Sequence, residues 1–157
     1  MRKVVPDWYS RILAVAFLAV VVSFAASLSG AQEMNAASPQ SQAITQNVKE
    51  VYFPFDIYSR VINADVLRAD ADWLKQHPDA RLWIQGYADV RGDIFYNLVL
   101  SYRRAQFVKS TLVHAGVNES QIGFATGWGK LYPVCQGTDE ECYQKQRRVD
   151  IVPPDMM

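Results

Sequence analysis

Residues 86–112 read GYADVRGDIFYNLVLSYRRAQFVKSTL, and the reading of this stretch decides the fold. Just upstream, Leu82 and Ile84 alternate with Arg81, Trp83 and Gln85, the period of a half-buried strand ending at Gly86. A loop carrying Asp89 and Gly92 follows, and Asp93 is placed to cap a helix. From there the apolar spacing becomes helical and continues to about Ala115, where Gly116 can supply the stop.

On a helical wheel with Asn97 at zero, Ser101, Ala105, Val108 and Leu112 cluster together with Leu98 beside them, and this is the core stripe. Arg103, Gln106, Lys109 and Ser110 fall on the solvent side. Arg104 lands near roughly 340° on the edge of the buried arc, one heptad after Asn97. An inward guanidinium is costly unless something pairs with it, and Asp89 at the start of the loop is the natural partner. Two readings stand side by side. One is a salt bridge that ties loop to helix. The other is a cleft in which acid and guanidinium together face a zwitterion, the acid taking an ammonium and the planar fork a carboxylate.

The elements around this stretch set the architecture. VYFPFD (51–56) is strand-like, with Pro54 arguing for an edge or a bulge. A helix is expected over 61–76, with Ile62, Val66, Ala69 and Trp73 at spacings of three and four, ended by His77-Pro78. QIGFATG (121–127) reads as a third strand, DEECYQKQ (139–146) as a short helix, and RRVDIV (147–152) as a closing strand before Pro153-Pro154. The order β-α-β-α-β-(α)-β predicts an α+β two-layer sandwich, its helices packed on one mixed sheet.

The N-terminus has a different character. Arg2, Lys3 and Arg11 flank an uncharged apolar run, Ile12–Ala26, and Ser29-Gly30-Ala31 puts small residues before Gln32. This is the three-part layout of a secretory signal peptide over residues 1–31. An uncleaved anchor is the alternative, because the run and its flanks approach the ~20 residues needed to span a bilayer. Either reading puts the remainder outside the cytoplasm, in contact with a membrane only if the signal is retained. Residues 32–48 are polar and read as a linker. In an oxidising compartment the only two cysteines, Cys135 and Cys142, are expected to pair, worth roughly 2–3 kcal/mol by loop entropy. No cysteine follows the apolar run to carry a lipid.

Acidic and basic residues balance at 16 each, so a nucleic-acid partner is not expected. There is no C-x-x-C, and His77 and His114 have no companions at ligand spacing, so neither metal nor cofactor is expected. The chain shows no nucleophile–base pair and no phosphate loop, which argues against an enzyme.

The pattern Asn97-x-x-Leu100-Ser101-x-x-Arg104-Ala105-x-x-Val108-x-x-x-Leu112 resembles the signature of the OmpA-like peptidoglycan-binding domain family, of the OmpA C-terminal and Pal type. Gly86-Tyr87-Ala88-Asp89-x-x-Gly92 resembles its acidic loop and Val51–Asp56 its opening strand. Gly127-x-Gly129-x-x-x-Pro133 and Arg147-Arg148-Val149 are similar to its late loop and closing strand. The resemblance implies a domain over residues 49–153, with 154–157 as a tail, that binds peptidoglycan noncovalently in the periplasm. It also implies that Asp89 meets the ammonium and Arg104 the carboxylate of meso-diaminopimelate in the stem peptide. Phe55, Asp56, Asn97, Leu100 and Arg148 would be supporting contacts. Gln146 stands where the family commonly has Asn, a departure expected to affect loop bonding. The alternative is a module that keeps the fold but binds other envelope proteins, with Trp128 and Tyr132 as its candidate surface.

Overall fold

The computed structural model describes residues 37–156; the signal or anchor reading of residues 1–31 lies outside them. The chain runs α1 (Pro39–Asn47), β1 (Val51–Tyr52), α2 (Ala64–Gln76), β2 (Leu82–Gly86), α3 (Ile94–His114), a 3-10 turn at Glu119–Gln121, β3 (Ile122–Gly127), α4 (Glu140–Gln146) and β4 (Arg148–Val152). One four-stranded sheet has the order β1-β4-β2-β3. β4 is antiparallel to both neighbours, whereas β2 and β3 are parallel and joined through α3. This is the expected α+β arrangement on a mixed sheet.

One sheet face carries Val51, Leu82, Ile84, Ile122, Val149 and Ile151, which pack with Leu67, Leu74, Ala105, Val108 and Leu112 of α2 and α3. α3 lies very close to the sheet where Gly86 pairs with Gly127. A Cβ at Gly86 would stand 2.0 Å from the Ser101 carbonyl oxygen, and one at Gly127 2.3 Å from the Tyr102 amide nitrogen. Side chains at either position would push the helix off the sheet. Ser101 Oγ seals the crossing, donating to Leu98 O (2.9 Å) and accepting from Gly129 N–H (2.8 Å). Gly116 at φ 97° follows the end of α3 as the sequence predicts.

Several expectations need correction. β1 is only two residues long, because Pro54 lacks the N–H that would continue the ladder. The buried face of α2 is Leu67, Asp70, Ala71 and Leu74, and Ile62 is exposed. Leu98, expected beside the core stripe of α3, faces outward.

The stretch read as a linker holds α1. Ser38 caps it by accepting from Ser41 N–H, Pro39 takes the first turn, and Ile44 and Val48 are buried in the core. Nor is the end of the chain free of the fold. Asp155 accepts hydrogen bonds from Ser38 N–H and Ser41 Oγ.

Candidate functional site

The close crossing at Gly86 brings the end of β2 against α3, and the chain beyond β2 is held on both sides. Tyr87 N–H donates to Arg148 O (2.9 Å) and Ala88 N–H to Gly129 O (2.8 Å). These bonds turn the Asp89 side chain into the protein. The loop then reaches α3 through Asp93, whose carboxylate accepts from the N–H groups of Phe95 (2.8 Å) and Tyr96 (3.0 Å). Asn97 Nδ2 donates to Arg91 O at 2.6 Å and closes the loop on the helix.

One turn past the crossing sits Arg104, which is 0% exposed and the largest fully buried side chain. It does not form the expected salt bridge with Asp89. Its Nε donates to Ile57 O (2.9 Å), Nη1 to Tyr87 O (3.0 Å) and Nη2 to Pro54 O (3.0 Å). A guanidinium has five N–H donors, so among the described residues three such bonds leave two unassigned, one on each terminal nitrogen. Burial, and after it the neighbouring Arg147, pulls the Arg104 pKa down to about 10, so the group stays charged at neutral pH. Because it clasps Pro54 and Ile57, Arg104 also fixes the loop that presents Phe55 and Asp56. Asp56 sits at φ 58° and accepts from Tyr96 OH.

The partners of Asp89 are other arginines. Arg91 Nε reaches Oδ1 at 3.1 Å and Nη2 reaches Oδ2 at 2.8 Å. Arg147 Nη1 reaches Oδ2 at 3.0 Å, and the Arg91 N–H reaches Oδ1 at 3.1 Å. Burial pushes the Asp89 carboxyl up, but the hydrogen bonds from Arg91 and Arg147 outweigh it and hold the group below its ordinary value. Arg147 is itself anchored by Glu140 (2.6 Å), Gln144 (2.6 Å) and Phe53 O (3.3 Å).

α4 thus braces Arg147 from behind, and the Cys135–Cys142 disulfide, with Cα atoms 5.8 Å apart, ties its first turn to the preceding loop. Gln146 does bond the loops: it accepts from Val90 N–H (3.0 Å) and donates to Cys135 O (3.1 Å).

These groups enclose a cleft of about 90 Å³. Six of the expected residues, Phe55, Asp56, Asp89, Asn97, Leu100 and Arg104, line it together. Arg148 does not. Val149 points into the core, so Arg148 and Asp150 share the opposite sheet face. There Arg148 Nε bonds Asp150 (2.9 and 3.1 Å) and the guanidinium lies 4.0 Å from the Tyr87 ring centre. Arg147 occupies the place expected of it.

Sequence reasoning also missed Arg91 and Arg147 as partners of Asp89. The available signal was an arginine two residues after the acid, on the same loop. A larger cavity of about 590 Å³ involves Thr45, Glu50, Tyr52 and Asp150 but none of the residues around Asp89. Among the described residues no group of three or more His, Cys, Asp or Glu could hold a metal.

The pattern of the OmpA family matches residues 52–147, a span that contains β2, β3, the helices α2 to α4 and every residue lining the cleft. The chain belongs to the OmpA family. It is 36% identical over 106 residues to the peptidoglycan-associated lipoprotein of Haemophilus influenzae, covering 67% of this chain and 69% of that one. The protein of the same name in Legionella pneumophila is 41% identical over 86 residues, 55% of this chain, and the match spans 48% of the Legionella protein's length. Among solved structures, the peptidoglycan-associated lipoprotein from Burkholderia pseudomallei superposes with a TM-score of 0.61 at 40% identity, covering 66% of this chain and 88% of that one.

Proposed function

We propose that this protein binds peptidoglycan noncovalently in the periplasm, through the meso-diaminopimelate of the stem peptide, and catalyses no reaction. The carrying observation is a single small cleft in which a charged, buried carboxylate (Asp89) and a buried guanidinium with two unassigned N–H groups (Arg104) face the same space. An amino-acid end with its own ammonium and carboxylate is the complement of that pair. The names of the relatives, peptidoglycan-associated lipoproteins, support the same reading. In it, Asp89 accepts from the ammonium and Arg104 donates to the carboxylate. The backbone at Phe55 and Asp56 lies beside the ligand, and Asn97 and Leu100 form the wall. A lysine-type stem peptide lacks the second carboxylate and leaves the guanidinium unmatched, which costs a few kcal/mol.

The test is co-sedimentation of the purified protein with isolated sacculi. Wild type should pellet with diaminopimelate-type wall and stay in solution with lysine-type wall. Asp89→Asn, which keeps the shape and removes the charge, should lower binding by roughly 100-fold. Undiminished binding by a folded Asp89→Asn protein would remove Asp89 from the site.

A second reading has its own observation. Phe95 (75% exposed), Leu98, Val99 and Tyr102 form an outward apolar face on the first half of α3, and Leu131 and Tyr132 are exposed as well. An exposed apolar patch of this kind suits contact with another envelope protein. Of the two aromatics singled out from sequence, Tyr132 is exposed and Trp128 is half-buried. Phe95→Ser with Tyr102→Ser should leave sacculus binding intact. If the double variant loses wall binding, this face belongs to the wall site.

A further inference from the structure

The carboxylate of Asp89 is already saturated. An ionised carboxylate offers about four lone-pair sites, and four N–H groups reach it: Arg91 Nε and Arg91 N–H on Oδ1, Arg91 Nη2 and Arg147 Nη1 on Oδ2. An incoming ammonium therefore has to displace one of them. The backbone N–H is held by the turn, and Arg147 is 3% exposed with further bonds to Phe53, Glu140 and Gln144. The Arg91 side chain is 37% exposed, and among the described residues its hydrogen bonds go to Asp89 alone.

It also has somewhere to go. Its Nη1 is already 3.5 Å from Glu140 Oε2, and its guanidinium lies between two rings, 4.4 Å from the centre of Phe55 and 4.2 Å from that of Tyr143. Sliding within this slot toward Glu140 keeps the cation–π contacts and a carboxylate partner while freeing Asp89.

We propose that Arg91 is a built-in competitor for the cation position of Asp89, and that a ligand ammonium binds by displacing its guanidinium toward Glu140. The inference rests on the diaminopimelate reading given above. Its consequence is selectivity. Exchanging one cation for another at Asp89 gains little by itself, so a lone ammonium does not displace Arg91. A ligand whose carboxylate also engages Arg104 does. Arg91 thereby makes the site read both charges of a zwitterion together, and it holds the affinity below what Asp89 and Arg104 alone would give.

Isothermal titration of the full-length protein with the tripeptide L-Ala-γ-D-Glu-meso-diaminopimelate, and with its L-Lys counterpart, tests this. Arg91→Ala should bind the diaminopimelate peptide about 3–10-fold more tightly than wild type. It should also narrow the preference over the lysine peptide. Arg91→Lys, which keeps the charge but cannot fork across the carboxylate, should fall between. In wild type the Arg91 Nε–Hε resonance should shift on saturation while that of Arg147 stays in place.

Weaker or unchanged binding by Arg91→Ala, alongside loss of binding in Asp89→Asn, would overturn the role of Arg91 and leave the functional reading standing. Equal binding by wild type and Asp89→Asn would overturn that reading and the competitor role with it.

Discussion

Asp70 and Asp89 are both nearly inaccessible, 1% and 4% exposed, yet they are opposite kinds of buried acid. Asp89 is surrounded by Arg91 and Arg147 and stays below its ordinary pKa despite burial. Asp70, on α2, receives a single hydrogen bond, from the Lys49 N–H at 3.1 Å, and its Oδ2 has no partner among the described residues. Burial therefore lifts its pKa to about 6. Burial alone does not make a carboxylate useful for binding. What distinguishes Asp89 is a set of cations that keeps it charged, one of which can be exchanged.

The largest difference between the two ends should come from Arg104. It is the hub of the Asp89 end, satisfying the carbonyls of Pro54, Ile57 and Tyr87 from inside the core. Arg104→Ala would orphan the carbonyls of Ile57 and Tyr87, leave Pro54 O with only a long bond from Ile57 N–H (3.4 Å), and open a cavity. The expected cost is about 3–5 kcal/mol of folding stability, measured by denaturant unfolding. A loss below about 1 kcal/mol would mean that the carbonyls find water, and that the Asp89 end is far less interlocked than its contacts imply.

Much of this was legible in the sequence, and the misses have physical causes. The periodicity of residues 97–112 located α3 and its inward arginine, because seven core-facing positions on one long helix leave little ambiguity. The 3.6-residue period failed on α2 because its true core face, Leu67-Asp70-Ala71-Leu74, contains an acid. A buried Asp70 disguises that stripe, and Ile62, Val66, Ala69 and Trp73 then look like the better one. Residues 39–47 offer only Ile44 as a buried apolar side chain within the helix, too little for a periodicity argument, although Ser38-Pro39 is a helix-start signal. Spacing could bring Asp89 and Arg104 to one cleft across a loop, although the direct salt bridge it suggested does not form. It could not reveal Arg147, which lies 58 residues away and arrives only when β4 inserts between β1 and β2.

A smaller effect is expected from the disulfide, and it should fall on one side of the comparison. Cys135–Cys142 anchors α4, which carries Glu140 and Tyr143 beside Arg91 and is followed directly by Arg147. Replacing both cysteines by serine should lower stability by about 2–3 kcal/mol through loop entropy and weaken binding of the diaminopimelate tripeptide. The titration of Asp70, followed by carboxyl carbon shifts in NMR, should not move. A displaced Asp70 titration would show that the two ends are coupled rather than independent.

The smallest effect has the most distinctive sign. Asp70 is raised in the folded state to about 6, while an unfolded aspartate titrates near 3.9. The folded protein therefore binds this proton more tightly. The favourable contribution is fully present below about pH 4 and is lost as pH rises through about 6. At pH 7.5 the folded protein carries an ionised, half-satisfied carboxylate in its interior. Asp70→Asn keeps an oxygen for the Lys49 N–H and removes the charge, so it should stabilise the protein by about 1–2 kcal/mol at pH 7.5 and by almost nothing at pH 4. Asp150, also raised to about 6, titrates in both proteins and cancels from the difference. Asp89→Asn should do the reverse. Its depressed pKa contributes stability above about pH 4, so that variant should be destabilised at pH 7.5 and approach wild type as acid protonates Asp89. Thermal melts of the three proteins across pH 4 to 7.5 should therefore give two stability differences of opposite sign: that of Asp70→Asn shrinks toward acid, while that of Asp89→Asn persists to about pH 4 and falls only below it. If Asp70→Asn is destabilising at pH 7.5, the contrast between the two aspartates fails, and Asp70 must hold a cation that compensates its charge.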